Sequence, residues 1–247
     1  YLSGQCGMDF VSGMAIYYVD EVLNGYSKGY LTMLMGVLLV SQLLGMLVFG
    51  PIMTKTSKKA TILIGAPIRI VCTLGLLAFS YEGAPIAPIL ALSAGVGIGN
   101  AATLTSIFAI LADMADVDEL ITSVSRPGIV SGMATFARKI SAGLSAWVIG
   151  LLISFAGYDA SIAKAGLRQS LHTQNGIAMI FIFLPVILVT LLLIFGYMFP
   201  ITKKEFELVH KEIARRKGED DSVATEEEKK VLKRVTGIEY EQLWGNR

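Results

Sequence analysis

The sequence predicts an all-α membrane protein built from six helical spans and a short polar tail. Three observations carry that expectation. The chain of 247 residues is 53% hydrophobic and only 17% charged, where a soluble domain averages about 25% charged residues. Its 21 basic and 20 acidic residues are unevenly placed, with about half of them following Thr202. Several long apolar runs before that point hold no charge, as expected where a charge at the bilayer centre costs at least about 2.5–3.5 kcal/mol.

A spanning helix needs about 20 apolar residues, and six stretches qualify. Residues 2–19 contain one charge, Asp9, and end at Asp20-Glu21. Residues 29–54 are uncharged and stop at Lys55-Thr56-Ser57-Lys58-Lys59, and residues 60–80 hold only Arg69. Residues 83–112 are uncharged and exceed the required length, so tilt or overrun is expected. Residues 128–155 contain Arg138-Lys139, and residues 176–200 are again uncharged. Backbone in lipid must satisfy its own hydrogen bonds, and the ten-residue alternation of a barrel is missing from the sequence, so these are helices.

Residues 201–247 read as a tail with two short helices. Thr202-Lys203-Lys204-Glu205 is a capping box with Ile201 and Phe206 as its staple, and its helix should stop at Gly218. Thr225-Glu226-Glu227-Glu228 repeats the box and opens a helix ending near Gly237. The expected role of the tail is solvation of its membrane end. Lys55, Lys58, Lys59, Arg126, Lys203, Lys204, Lys211, Arg215, Arg216 and Lys217 lie on one side, against Lys28, Lys164 and Arg168 on the other. The positive-inside rule places both ends in the cytoplasm. The chain opens at Tyr1 within an apolar run, and the expectation is a piece of a longer protein.

Composition narrows the chemistry. A net charge of +1 gives no reason to expect a nucleic-acid partner. Cys6 and Cys72 sit in apolar runs as small hydrophobes, and His172 and His210 are too scattered to assemble a metal cluster. The Gly95-Val96-Gly97-Ile98-Gly99-Asn100 run lacks the strand and acidic residue of a nucleotide loop, and close helix approach explains it better. No arrangement of residues suits an enzyme, and no cofactor is expected.

Ionisable groups inside spans are functional candidates by default. Lys139 lies eleven positions after Gly128, about 17 Å along its helix and so near the midplane. Thr135 shares its face one turn earlier, while Arg138 points about 100° away. Asp9 is the one deep carboxylate of the first span and could neutralise Arg69, Arg138 or Lys139. Asn100 could bond a ligand or a neighbouring helix. Asp113, Asp116 and Glu119 recur every third residue at the end of the fourth span, followed by Arg126, and read as an ion-pair gate.

Ala112-Asp113-Met114-Ala115-Asp116, then Glu119, Thr122, Arg126 and Gly128, then Phe136 and Lys139, and last Gly157-Tyr158 resemble the glycoside–pentoside–hexuronide:cation symporters, a branch of the major facilitator superfamily. Ile16-Tyr17-Tyr18-Val19, Gly95 to Gly99 and Phe199-Pro200-Ile201-Thr202 are similar to that family as well. Val117, Ser123-Val124-Ser125 and Pro127 depart from its pattern. The resemblance implies a six-helix half, spans seven to twelve of a twelve-span transporter of the cell (plasma or inner) membrane, partnered by the bilayer and by an N-terminal six-helix half. It implies sugar symport with Na⁺ or H⁺ by alternating access, the main cation site lying in that other half. Lys139, Thr135, Arg138, Asp9 and Asn100 would line the substrate and cation cavity, and Asp113, Asp116, Glu119 and Arg126 the cytoplasmic gate. A lysolipid or other amphiphile carrier and a non-transporting interaction protein are the competing readings.

Overall fold

The computed structural model describes residues 1–25, 28–198 and 202–244. Nine α-helices are described: α1 Leu2–Tyr17, α2 Tyr30–Lys55, α3 Lys58–Gly75, α4 Ile86–Thr122, α5 Pro127–Phe155, α6 Ala160–Lys164, α7 Leu171–Met198, α8 Lys203–Lys217 and α9 Glu226–Thr236. Five of them, α2, α3 with its 3-10 extension to Phe79, α4, α5 and α7, are long and apolar enough to cross a bilayer. The sixth expected span is shorter as an α-helix, at 16 residues, but Tyr18–Val22 continues it as a π turn. Aromatic packing accompanies that wider turn, with Tyr18 stacked on Phe181 at 4.2 Å and Tyr17 edge-on to Tyr158 at 5.4 Å. Together the two segments provide about 30 Å of helix. The chain is an all-helical, multi-pass membrane protein.

Local chemistry explains most helix ends. Ser57 caps α3 by accepting from the Ala60 N–H at 3.0 Å, which makes the α2–α3 turn two residues long. Pro127 opens α5 at a position where its missing N–H costs nothing. Two ends differ from expectation. α7 begins at Leu171, not residue 176, because the Ser170 hydroxyl accepts from the Thr173 N–H and carries a polar turn into the helix. α4 continues past residue 112 for almost three more turns. That extension projects Asp113, Asp116, Asp118 and Glu119 beyond the apolar run.

The spans pack as two groups. α4 lies between α2 and α3, while α1 packs against α5 and α7, and α3 against α7 joins the groups. The α1 backbone stands farther from α2 and α4, and Val11 and Met14 fill the space between them in one buried cluster with Leu34, Leu38, Ile89 and Val96. α4 approaches both neighbours closely: a Cβ at Gly97 would lie 2.5 Å from the Leu38 carbonyl oxygen of α2, and one at Gly99 would lie 2.7 Å from the Gly65 carbonyl oxygen and 2.8 Å from the Arg69 nitrogen of α3. Small residues permit that approach, as the glycine run suggests. Leu39, Leu43, Leu47, Ile187, Leu191 and Phe195 stay exposed on the outer faces of α2 and α7, as lipid-facing residues would.

The tail is not merely a solvated appendage, and here the structure corrects the expectation. Both capping boxes form, at Thr202/Glu205 and Thr225/Glu228, and α8 and α9 stop at Gly218 and Gly237 with φ of 77° and 71°. Val209, Ile213, Leu232 and Leu243 then bury themselves against Val117 and Leu120 of the α4 extension. The Trp244 N–H donates to the Leu120 carbonyl at 2.9 Å. Glu212, fully buried, accepts from Arg215, Arg216 and the Tyr240 hydroxyl. Phe199-Pro200-Ile201, and with it the Ile201 half of the expected staple, lies outside the described residues.

Candidate functional site: polar groups along the spans

α5 is held to the bundle along a single stripe, with Ser141, Ser145, Ile149 and Ile153 buried. Its other residues fall on two flanks, each about a third of a turn away. One carries large apolar side chains, Phe136, Ile140, Leu144 and Leu151, all exposed. The other carries Gly132, Thr135, Lys139, Gly143 and Gly150. Cβ atoms added at these three glycines would meet nothing within 4 Å, so the flank is open in this six-helix unit. Lys139 and Thr135 are both exposed on it. Lys139 has no ion-pair partner among the described residues, and Thr135 bonds back to the Ser131 carbonyl at 2.9 Å.

Of the three cations available to Asp9, the structure brings up Arg138. Its Nη1 donates to both carboxylate oxygens, at 2.7 and 2.5 Å, and the pair is only partly buried. One turn before Asp9 the Cys6 thiol and Ser141 hydroxyl meet at 2.9 Å, adding a second polar tie between α1 and α5. Ser12, one turn beyond, is exposed.

Asn100 lies away from that pair, 4% exposed, bonded to Arg69 and to Gln42 across α2, α3 and α4. Gln42 and the isolation of Arg69 had no sequence signal, since a lone glutamine in an apolar run predicts no partner. Thr103 spends its hydroxyl on the Gly99 and Asn100 carbonyls of its own helix.

The acidic ladder on α4 does not meet Arg126 in the expected way. Arg126 instead makes a two-pronged pair with Asp118, at 2.9 and 3.1 Å, because the short 123–126 turn folds it back onto that residue. The ladder is met by other cations. Asp113, 4% exposed, binds Lys58 at the start of α3; Asp116 faces His210 at 3.4 Å; Glu119 pairs with Lys217 at 2.6 Å. Two of these three partners belong to the tail, which the sequence reading assigned no such contact. The Glu119 contact raises the Lys217 ammonium above its ordinary pKa.

A bundle of long apolar helices with polar pairs across them, and with Lys139 and Arg69 far along spans and without a carboxylate partner among the described residues, suits solute passage. Comparison with known proteins decides the family. Residues 1–203 match the family described as MFS/sugar transport protein. The chain belongs to that family. It is 27% identical over 212 residues to a protein named glucuronide carrier protein homolog from Escherichia coli K12, covering 84% of this chain and 44% of that one. It is 29% identical to a putative sulfoquinovose importer from the same strain, over 86% and 43% of the two chains. An isoprimeverose transporter of Lactiplantibacillus pentosus is 27% identical over 73% and 36%. The chain therefore spans less than half the length of these relatives, all of them named for carrying solutes, not for catalysis.

Proposed function

We propose that this chain forms one rocking half of a sugar:cation symporter that works by alternating access, coupled to Na⁺ or H⁺. The observation that carries the reading is the flank of α5 around Lys139. A lysine 12 residues into a spanning helix is about 18 Å from its start, too deep to reach the interface without strain. It sits among glycines and a threonine, on a flank about a third of a turn from the aliphatic one, and small residues mark contact with protein or water and not with acyl chains. Lys139 is assigned the charge that links the solute and cation networks, with Thr135 as a hydrogen-bonding wall. Arg138 and Asp9 hold α5 to α1 beside the cavity, and Asn100 stiffens its α4 wall. The coupling cation's main site belongs to the other six-helix half.

The lysine and arginine bias of the loops supports a cytoplasmic side for both ends of the chain. There Asp113, Asp116 and Glu119, with Arg126 on Asp118, act as the contacts that are exchanged when the path opens inward. The supporting relatives carry a glucuronide, sulfoquinovose and isoprimeverose by name, so the solute is placed among sugars and their derivatives. The experiment is uptake by the full-length protein in proteoliposomes, with labelled isoprimeverose and methyl glucuronide, under an imposed Na⁺ or H⁺ gradient. Gradient-driven accumulation that Lys139→Ala abolishes supports the reading. Undiminished coupled uptake in that variant removes Lys139 from its assigned role.

A further inference from the structure

Arg69, in the middle of α3, is 2% exposed and heads the fully buried side chains by size. No carboxylate among the described residues reaches it: Asp9 is engaged by Arg138 and Asp113 by Lys58. Its polar neighbours form a chain that runs in one direction. Nη1 donates to Asn100 Oδ1 at 3.0 Å, and since a guanidinium has no acceptor, that atom must be the amide oxygen. The Asn100 amino group then points at Gln42 Oε1, 2.9 Å away, and at the Met8 sulfur at 3.6 Å. Gln42 is left with its own N–H groups to offer. Arg69 Nε is buried with no hydrogen-bond partner. The cluster thus carries a full positive charge and surplus donors.

Arg69 and Asn100 line a cavity between α1 and the α2–α4 group. Met8, Val11, Ser12, Leu38 and Val96 complete the walls, and the volume is about 10 Å³, roughly the space of a single water or oxygen atom. Ser12 is exposed, so the cavity runs inward from the open surface of α1 to the buried guanidinium. An uncompensated arginine at this depth is costly, and a purely structural cation would be satisfied more cheaply by a carboxylate on an adjoining helix.

We propose that Arg69, Asn100 and Ser12 form an oxyanion subsite on the solute path, with Gln42 orienting Asn100 from behind. It takes one oxygen of a carboxylate, sulfonate or phosphate group, with the remainder of the molecule lying outward past Ser12. The oxyanion is either part of a transported acidic sugar, in which case the subsite rests on the sugar-transport reading, or a free inorganic anion. Charge-assisted hydrogen bonds to a guanidinium are among the strongest a site of this size can offer.

The test uses the purified full-length protein and a matched pair, methyl β-D-glucuronide and methyl β-D-glucoside, which differ at one carbon as carboxylate against hydroxymethyl. Sodium sulfate at constant ionic strength is the free-oxyanion arm. Binding and thermal shifts are read for the wild type, Arg69→Gln, Arg69→Lys and Ser12→Ala. The glucuronide should bind at least about tenfold tighter than the glucoside, the worth of one hydrogen bond to a charged group. Arg69→Gln should erase that preference and leave glucoside affinity within about twofold. Arg69→Lys, which keeps the charge but not the fork, should retain part of it. Sulfate binding that depends on Arg69, with no preference between the sugars, supports the subsite and assigns it to a free anion. The wild-type comparison needs no variant to fold. Equal affinity for the two sugars without an Arg69-dependent sulfate effect overturns the subsite while leaving sugar transport standing. Sulfate binding with neither sugar bound keeps the subsite and removes the sugar reading. A glucuronide preference that survives in Arg69→Gln overturns it as well, as does a carboxylate of the other half found on Arg69 in the complete protein.

Discussion

Replacing Gly99 by alanine should loosen the close approach of α3 to α4. The new methyl would sit 2.7 Å from the Gly65 carbonyl oxygen, 2.8 Å from the Arg69 nitrogen and 2.9 Å from Arg69 Cβ. Ordinary contact begins near 3.4 Å, so α3 and α4 must part by about 0.7 Å. Backbone atoms make up two of the three obstacles, and a rotamer change cannot relieve them. Overpacking of this kind costs about 1–3 kcal/mol. The same displacement stretches the 3.0 Å bond from Arg69 to Asn100, and a hydrogen bond to a charged group contributes about 1.5–3 kcal/mol. Alanine's better helix propensity returns about 0.5–1 kcal/mol. The expected net loss is about 2–4 kcal/mol. Gly143→Ala is the control: with nothing within 4 Å of its added Cβ in this unit, it should leave the six-helix half as stable as before or better. Equilibrium unfolding in mixed micelles reads both variants. A Gly99→Ala protein as stable as the wild type would refute the packing argument.

Two predictions concern the tail. Leu232 is fully buried between α8, α9 and the α4 extension, so Leu232→Ala should cost the tail about 2–5 kcal/mol, seen as early proteolytic cleavage between α8 and α9 while the spans stay intact; unchanged resistance would count against a docked tail. The Glu228 carboxyl is drawn down to about 2, from an ordinary 4.5, first by the Thr225 backbone N–H and then by the Arg215 guanidinium. A folded-state value below the unfolded one stabilises at neutral pH and is lost as pH falls from about 4.5 towards 2. Hydrogen exchange of the α9 amides, corrected for intrinsic rates, should speed up across that window, and flat protection down to its lower end would contradict the assignment.

The spans were legible because charge is so costly in lipid that its absence alone marks them. The tail helices were legible because capping boxes and terminal glycines are local signals, satisfied within four residues. What could not be read is what depends on which helix stands beside which. Asp9 had three possible cations, and only the placement of α1 against α5 selects Arg138. Arg69 loses its candidate partner by the same choice, so its isolation appears only in three dimensions. The acidic ladder at Asp113, Asp116 and Glu119 was visible as a spacing, but its partners Lys58, His210 and Lys217 come from α3 and a tail that folds back. Val209, Ile213 and Leu232 carry no sequence signal of a shared core, and they form one because α4 runs on to Thr122 and brings Val117 and Leu120 against them.

The central claim is that the Lys139 flank of α5 borders a wet path through the protein. Single cysteines placed at Lys139 and Leu144, in a full-length background with Cys6 and Cys72 replaced, test it with a water-soluble maleimide in native membranes. The account predicts rapid labelling of Lys139→Cys, slowed by bound solute, and little labelling of Leu144→Cys on the aliphatic flank. Lys139→Cys as unreactive as Leu144→Cys would place the lysine against lipid and contradict the account.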